Sequence, residues 1–221
     1  MKPSTLILLS GGLDSAANLA LACEAGETPF VLTADYGQRA ARSEIRAAAR
    51  LAEYYGCQKE VLSLQWLGGL GTSALTDKKM GMPEFRQDQL DELSLTTKSA
   101  KSVWVPNRNG VLIEVAAAFA DARQIGQVLV GFNAEEAVTF PDNTSEYMAA
   151  VTKSLSFSTS NHVKVTSYTD RMTKKEIVAK LRSLKKPFPF QLLWSCYQGE
   201  EKPCGQCESC QRLERALKGL S

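Results

Sequence analysis

Residues 6–22 read LILLSGGLDSAANLALA: a short apolar run, a serine and two glycines, then an apolar helical period with no linker between them. A strand that passes directly into a helix lays that helix along one face of a sheet. The next strand then returns parallel to the first, through a right-handed crossover. Adjacent glycines at the turn permit left-handed backbone and close approach of a ligand. The helix beyond offers free N–H groups and the positive end of its dipole. The turn is therefore a candidate anion cradle built from Leu9, Ser10, Gly11, Gly12, Leu13, Asp14 and Ser15. It has neither the G-x-x-x-x-G-K-[ST] spacing nor G-x-G-x-x-G. Without a lysine for a γ-phosphate, it is either a nucleotide site of another kind or a plain turn in which Asp14 caps the helix.

The alternation continues along the chain. A strand at Phe30–Tyr36 precedes a helix over residues 42–55, with Ser43 as its cap and Gly56 as its stop. A third strand falls at 60–64. From Gly110 a helix leads into a strand at 127–132. A helix at 145–155, a short strand at 163–166 and a helix at 173–184 follow, the last opened by Thr173 and Glu176 as a capping box. Residues 66–105 carry little periodicity and many Gly, Ser, Thr, Lys and Asp, which marks a lid or binding segment. The expected architecture is α/β, a parallel sheet in residues 1–190 with an irregular insertion at about 66–105. A small metal-binding element in residues 191–221 completes it.

Hydrophobic residues at 44% and charged residues at 23% are the balance of a globular domain, and a net charge of +2 leaves no basic footprint for nucleic acid. The N-terminal apolar run is too short for a signal peptide, and no stretch approaches the ~18 apolar residues of a membrane span. A cytoplasmic protein without nucleic-acid or membrane partners is the expectation, and disulfides seldom persist in that compartment. Four of the six cysteines nevertheless cluster, as Cys196-x₇-Cys204-x₂-Cys207-x₂-Cys210. This spacing suits one ion held by four thiolates, with no open position and so a structural role. Zinc is the expected metal and an iron–sulfur cluster the alternative. Cys23 and Cys57 stand apart in helical patterns and read as small buried apolar residues. His162, the one histidine, reads as an ordinary exposed or edge residue, so proton transfers fall to carboxylates, water or the substrates themselves.

Polar loops at the carboxyl ends of parallel strands form the ligand face of such a sheet. They supply Asp35, Tyr36 and Gln38 after the second strand, and Asn133, Glu135, Glu136, Phe140 and Asp142 after the fourth. Asn109 or Asn107, with Arg108 between them, begins the helix that precedes that strand. Arg108 reads as a planar fork toward phosphate or carboxylate, or as a solvated helix-end residue. Lys174 reads as a surface lysine, with phosphate contact as the alternative.

SGGLDS is similar to the S-G-G-x-D-S pyrophosphate loop of the ATP pyrophosphatase superfamily, whose members transfer AMP to a substrate oxygen. Residues 35–44, DYGQRAARSE, resemble the DYGQRH…E signature of the 7-cyano-7-deazaguanine synthases of queuosine biosynthesis, with Ala40 at the family's histidine. VPNRN at 105–109 is similar to that family's V-P-x-R-N, and TKKE at 173–176 to its [ST]-K-x-E. GFNAEEAVTFPDN at 131–143 is similar to G-x-N-x-x-D-x-x-G-Y-P-D-C-R, but carries Glu136 for aspartate, Phe140 for tyrosine, Asn143 for cysteine and Thr144 for arginine. The cysteine cluster agrees with the family's zinc site, one residue shorter in its first gap.

The resemblance implies an adenine nucleotide alpha hydrolase-like, Rossmann-like, doubly wound fold. It implies Mg²⁺ and ATP held by Leu9–Ser15, Asp35, Tyr36 and Gln38, with Asp14, Ser15, Arg108 and Asp142 in catalysis. It places 7-carboxy-7-deazaguanine against Asn109, Asn133, Glu136, Phe140 and Asp142. The carboxylate would be adenylated, ammonia would displace AMP, and a second activation would turn the amide into a nitrile. A structural Zn²⁺ and a homodimer are also implied. Two alternatives stay open. One is another adenylating enzyme with a different acceptor, such as a tRNA thiolase; the other is a non-enzymatic zinc module that binds nucleotide or nucleic acid.

Overall fold

Side-chain alternation along the first strand decides how the layers form. The computed structural model describes residues 3–218, so the outer ends of the two expected units, at residues 1 and 221, lie outside the described residues. Strand β1 (Thr5–Leu8) points Leu6 into one core and Ile7 into another. Around it run α1 (Leu13–Glu24), β2 (Pro29–Asp35), α2 (Ala41–Tyr55) and β3 (Gln58–Ser63). Next come α3 (Leu93–Ser102), α4 (Arg108–Ala122), β4 (Gln127–Leu129) and the single-turn α5 (Ala134–Ala137). The chain closes with α6 (Ser145–Ser158), β5 (Lys164–Thr166), α7 (Lys174–Arg182) and α8 (Glu208–Lys218).

The five strands among the described residues are all parallel, in the order β3-β2-β1-β4-β5. Helices α1, α2, α7 and α8 cover the Ile7 face and bury Leu19, Leu51, Leu181 and Ala216. Helices α4 and α6 cover the Leu6 face, burying Ile113, Met148 and Leu155. Each fully buried leucine contributes roughly 1.5–3 kcal/mol. Strand order reverses between β1 and β4, and there the segments beyond the carboxyl ends diverge to leave a crevice. The doubly wound α/β expectation holds. No helix among the described residues is long and apolar enough to cross a membrane.

Two local expectations change. Helix α2 begins at Ala41 with Ala40 at the N-cap, so Ser43 is buried in the first turn instead of capping it, while Gly56 (φ +69°) ends the helix as expected. The 66–105 segment is not wholly irregular, since it contains α3. That helix escapes a periodicity search because it buries Thr96, Ser99 and Ala100 and exposes Leu93. The segment also pairs with the cysteine element through an antiparallel bridge between Glu84 and Cys207. Cys23 and Cys57 are half-buried at the edge of the Ile7 core, and His162 is exposed.

Asn18, 0% exposed, ties α1 to the loop after β5. Its Nδ2 donates to the Asp14 carbonyl at 2.9 Å and to Thr169 Oγ1 at 2.7 Å, while its Oδ1 accepts from the Tyr168 amide at 2.7 Å. Asn18→Ala leaves the Tyr168 amide without a partner and removes the donor to Thr169 Oγ1, and a stability loss of about 1–3 kcal/mol is expected in urea unfolding. An unchanged midpoint would show that the tether contributes nothing.

Candidate functional site

The glycine loop is held open by backbone contact on two sides. Gly11 has φ +85°, and a Cβ there would stand 2.7 Å from the Ala47 Cβ, so α2 lies directly against the loop. A Cβ on Gly131, just after β4, would stand 2.6 Å from the Ser15 amide nitrogen. Inside the loop Ser15 Oγ accepts from the Ser10 amide at 3.2 Å and lies 3.1 Å from Ser10 Oγ. Gly12 is the N-cap of α1 and offers no side chain, so the first-turn amides have no partner ahead of them and remain available to an anion. Asp14 is therefore not the cap.

The Asp14 carboxylate turns instead toward Lys174, the first residue of α7. Lys174 Nζ lies 2.5 Å from Asp14 Oδ2 and 2.8 Å from Glu136 Oε1, and the lysine side chain is only 8% exposed. The surface reading of Lys174 is thus corrected: the capping box starts α7 as expected, with Thr173 N donating to Glu176 Oε2 at 2.8 Å, and aims the next side chain inward. Burial lifts the Asp14 carboxyl to about 6 against the pull of Lys174. Burial also opposes the Lys174 charge, yet the two carboxylates hold its pKa above the ordinary lysine value. Glu135 adds a second anchor, accepting the Lys174 amide at 2.8 Å and pairing with Arg212 of α8 at 3.0 Å.

A cavity of about 250 Å³ opens over this arrangement. The structure brings to it Leu9, Ser10, Gly12, Leu13, Asp14 and Ser15 from the loop. Tyr36 and Gln38 join from the end of β2, Arg108 and Asn109 from α4, and Glu136 and Phe140 from the loop after β4. The Arg108 guanidinium lies over the Tyr36 ring, 5.9 Å from its centroid.

Four expected residues stand outside the wall. Gly11 lies behind it, against α2. Asp35 turns its carboxylate to the Gly37 amide (3.0 Å) and the Gln65 side chain (3.2 Å). Asn133 is fully buried and caps α5, its Oδ1 accepting from the Glu136 amide at 3.0 Å. Asp142 borders a neighbouring cavity of about 10 Å³, beside Arg108 and the near-parallel rings of Trp104 and Phe140, whose centroids are 6.3 Å apart. Its Oδ1 is buried without a hydrogen-bond partner.

Sequence reasoning gave no site role to Glu44, Trp194 or Tyr197, all of which line the larger cavity. Glu44 carried a signal: it ends the 35–44 stretch that resembles DYGQRH…E, and it shares a helix face with Ala47 and Ala48, the small residues that admit Gly11. Trp194 carried none, because its place depends on a 2.9 Å bond from its amide to the Gly11 carbonyl.

The four clustered cysteines converge as expected, all four sulfurs lying within 4.8 Å of one another. Cys196 Sγ is 3.5 Å from Cys204 Sγ, and Cys204 Sγ is 4.0 Å from Cys210 Sγ. Sulfurs placed tetrahedrally about 2.3 Å from one ion stand about 3.8 Å apart, so the group fits a single metal. Amides of Gln198 and Cys204 donate to Cys196 Sγ, each at 3.3 Å, which suits a thiolate.

A sequence profile described as queuosine biosynthesis protein QueC matches residues 4–221. The chain belongs to the QueC family. The 7-cyano-7-deazaguanine synthase of Desulforamulus reducens is 49% identical over 217 residues, 98% of this chain and 94% of that one. That of Pelotomaculum thermopropionicum is 49% identical over 214 residues, 97% of this chain and 96% of its own. That of Methanosarcina mazei is 44% identical over 218 residues, covering 97% and 94%.

Within this QueC-family chain, the four departures after β4 each have a local partner. Asn143 Nδ2 donates to Glu136 Oε2 at 3.4 Å, and Asn143 Oδ1 accepts the Asn133 amide at 3.2 Å. Phe140 stacks with Trp104, and Thr144 caps α6 by accepting the Tyr147 amide at 3.1 Å.

Lys174→Met keeps the length of the side chain and removes the charge between Asp14 and Glu136. Breaking a buried pair in this way costs about 3–5 kcal/mol. The loss should be largest near pH 8, where both carboxylates are ionised, and smaller near pH 5, below the Asp14 value of about 6. Urea unfolding at the two pH values measures it, and an equal loss at both would remove the electrostatic account.

Proposed function

We propose that this protein converts 7-carboxy-7-deazaguanine and ammonia to 7-cyano-7-deazaguanine at the expense of ATP, in the cytoplasm. The observation that carries the reading is the uncapped N-terminus of α1, whose amides open into the cavity at the β1/β4 crevice beside Arg108. Those amides and the Ser10 and Ser15 hydroxyls hold the phosphates of ATP. The substrate carboxylate attacks the α-phosphorus, pyrophosphate leaves, and an acyl adenylate results. Arg108 stabilises the negative charge that develops there. Ammonia adds to the acyl carbon and AMP departs, giving the amide. Adenylation of the amide oxygen, followed by loss of AMP and a proton, leaves the nitrile.

Asp14 would hold the Mg²⁺ that accompanies ATP, a role its unpartnered Oδ1 fits, and the ion would neutralise phosphate charge. Phe140 supplies a flat wall for the heterocycle and Asn109 a polar contact at its edge, while Asp142 acts from behind the wall through the charge of Arg108. Asn133, buried as a cap, acts by setting the shape of this loop, and Asp35 by setting the turn that carries Tyr36. Residues 191–218 form a buttress whose four cysteines hold a structural Zn²⁺. No cysteine lines the larger cavity among the described residues, which counts against a thiolase.

Incubation with Mg-ATP, ammonium and the carboxylic acid should yield the nitrile by mass spectrometry. ATP turnover on a different acceptor without nitrile would overturn the reading. Asp14→Asn should abolish activity across the whole pH range in which the unsubstituted protein turns over. Metal analysis of the native protein should find one zinc per chain, and Cys207→Ser should lower both the zinc content and the melting temperature.

A further inference from the structure

Among the described residues lining the larger cavity, Glu44 is the carboxylate that has no ion pair, whereas Asp14 and Glu136 share Lys174. It sits in the first turn of α2, and its backbone carbonyl is 3.2 Å from where a Cβ on Gly11 would stand, so it is anchored beside the glycine loop. Gln38 orients it. The Gln38 Nε2 donates to Glu44 Oε2 at 2.8 Å and to the Ala34 carbonyl at 3.1 Å, and its Oε1 accepts from the Tyr36 amide at 2.9 Å. Gln38 is 5% exposed, so a buried amide is committed to fixing one oxygen of one carboxylate. The other oxygen, Glu44 Oε1, accepts no hydrogen bond from a described residue.

The groups that face Glu44 are Arg108 from α4, Asp35 from the end of β2 and the adjoining Gln38. Phosphate is repelled by such a carboxylate, so Glu44 is not a nucleotide-phosphate ligand. What it suits is a small cation that carries N–H donors. The proposed reaction requires one: ammonia is almost wholly ammonium at neutral pH, yet only the neutral molecule has the lone pair that attacks an acyl adenylate.

We infer that Glu44 is the ammonium-docking residue and general base of this site, an assignment that rests on the proposed function. Ammonium hydrogen-bonds to Oε1 and an N–H bond breaks as the proton passes to the carboxylate. The freed lone pair forms a bond to the acyl carbon, and the bond from that carbon to the AMP oxygen breaks, its electron pair leaving with AMP. The extra proton on the new amide nitrogen goes to solvent. Burial raises the Glu44 carboxyl above the usual glutamate range, against the Gln38 hydrogen bond and the Arg108 charge, which strengthens it as a proton acceptor.

The test compares two nucleophiles. Hydroxylamine is uncharged at pH 7 and needs no base to expose its lone pair. Glu44→Gln should lower kcat/KM for ammonium by about 10²-fold while leaving hydroxamate formation from hydroxylamine and the KM values for ATP and the acid within about twofold. Its ammonium rate should rise about tenfold per pH unit from pH 7 toward 9 as free ammonia accumulates, a steeper profile than that of the unsubstituted protein. Glu44→Asp, which keeps the carboxylate, should recover part of the ammonium rate and guards against a folding defect in the glutamine variant. Equal losses with both nucleophiles, or a raised KM for ATP or the acid, would overturn the assignment while the reaction stands. An unsubstituted protein that makes neither amide nor hydroxamate overturns the reaction and the assignment together.

Discussion

A single ammonium group, Lys174 Nζ, lies between two carboxylates from different parts of the chain, and much of the site depends on it. Asp14 belongs to the first turn of α1, Glu136 to the loop after β4 and Lys174 to the start of α7. Without the lysine, two mostly buried acidic groups would face one another beside the glycine loop. With it, the three segments that meet at the crevice hold one another in place. Helix α7 can aim the lysine there because its own N-terminus is settled twice, by the Thr173–Glu176 box and by Glu135 beneath the Lys174 amide.

The same arrangement reaches the C-terminal part of the chain. Glu135 also pairs with Arg212, which pairs with Glu208 at 2.9 Å, and α8 carries Cys210 of the cysteine cluster. On the far side of the cluster, the Trp194 amide holds the Gly11 carbonyl. Arg39 joins the remaining pieces: it hydrogen-bonds Gln198 at 3.2 Å and the carbonyls of Asp77 and Met80, so the cysteine loop and the 66–105 segment meet at the start of α2. The glycine loop is thus supported from behind by an element that contributes no strand to the sheet. A metal that orders the cysteine element would act on the loop through these contacts.

Legibility in the sequence followed the range of each interaction. The β–α alternation, Gly56 as a helix stop, the α7 capping box and the cysteine spacing all depend on residues a few positions apart, and all were readable. Ser43 failed as a cap because α2 starts earlier than its first charged residues suggest. Helix α3 stayed hidden because it buries small polar side chains against its neighbours. Lys174 and Glu44 were misjudged or passed over for one reason: on an isolated helix both look like solvated charges, and only the arrival of other segments takes water away from them. Asp35 and Asn133 erred the other way, since local turn and cap hydrogen bonds use groups that their loop positions seemed to offer to a ligand.

By itself the sequence determined that this chain forms a parallel α/β sheet with a glycine turn after its first strand and a four-cysteine cluster near its end. Backbone propensity, side-chain period and short-range spacing are enough for those. Only the tertiary structure decided which charged groups are buried, which carboxylate has a cation and which has none, and which aromatic rings wall the cavity. Those properties arise when residues far apart in sequence exclude water from one another, and no local pattern encodes that exclusion.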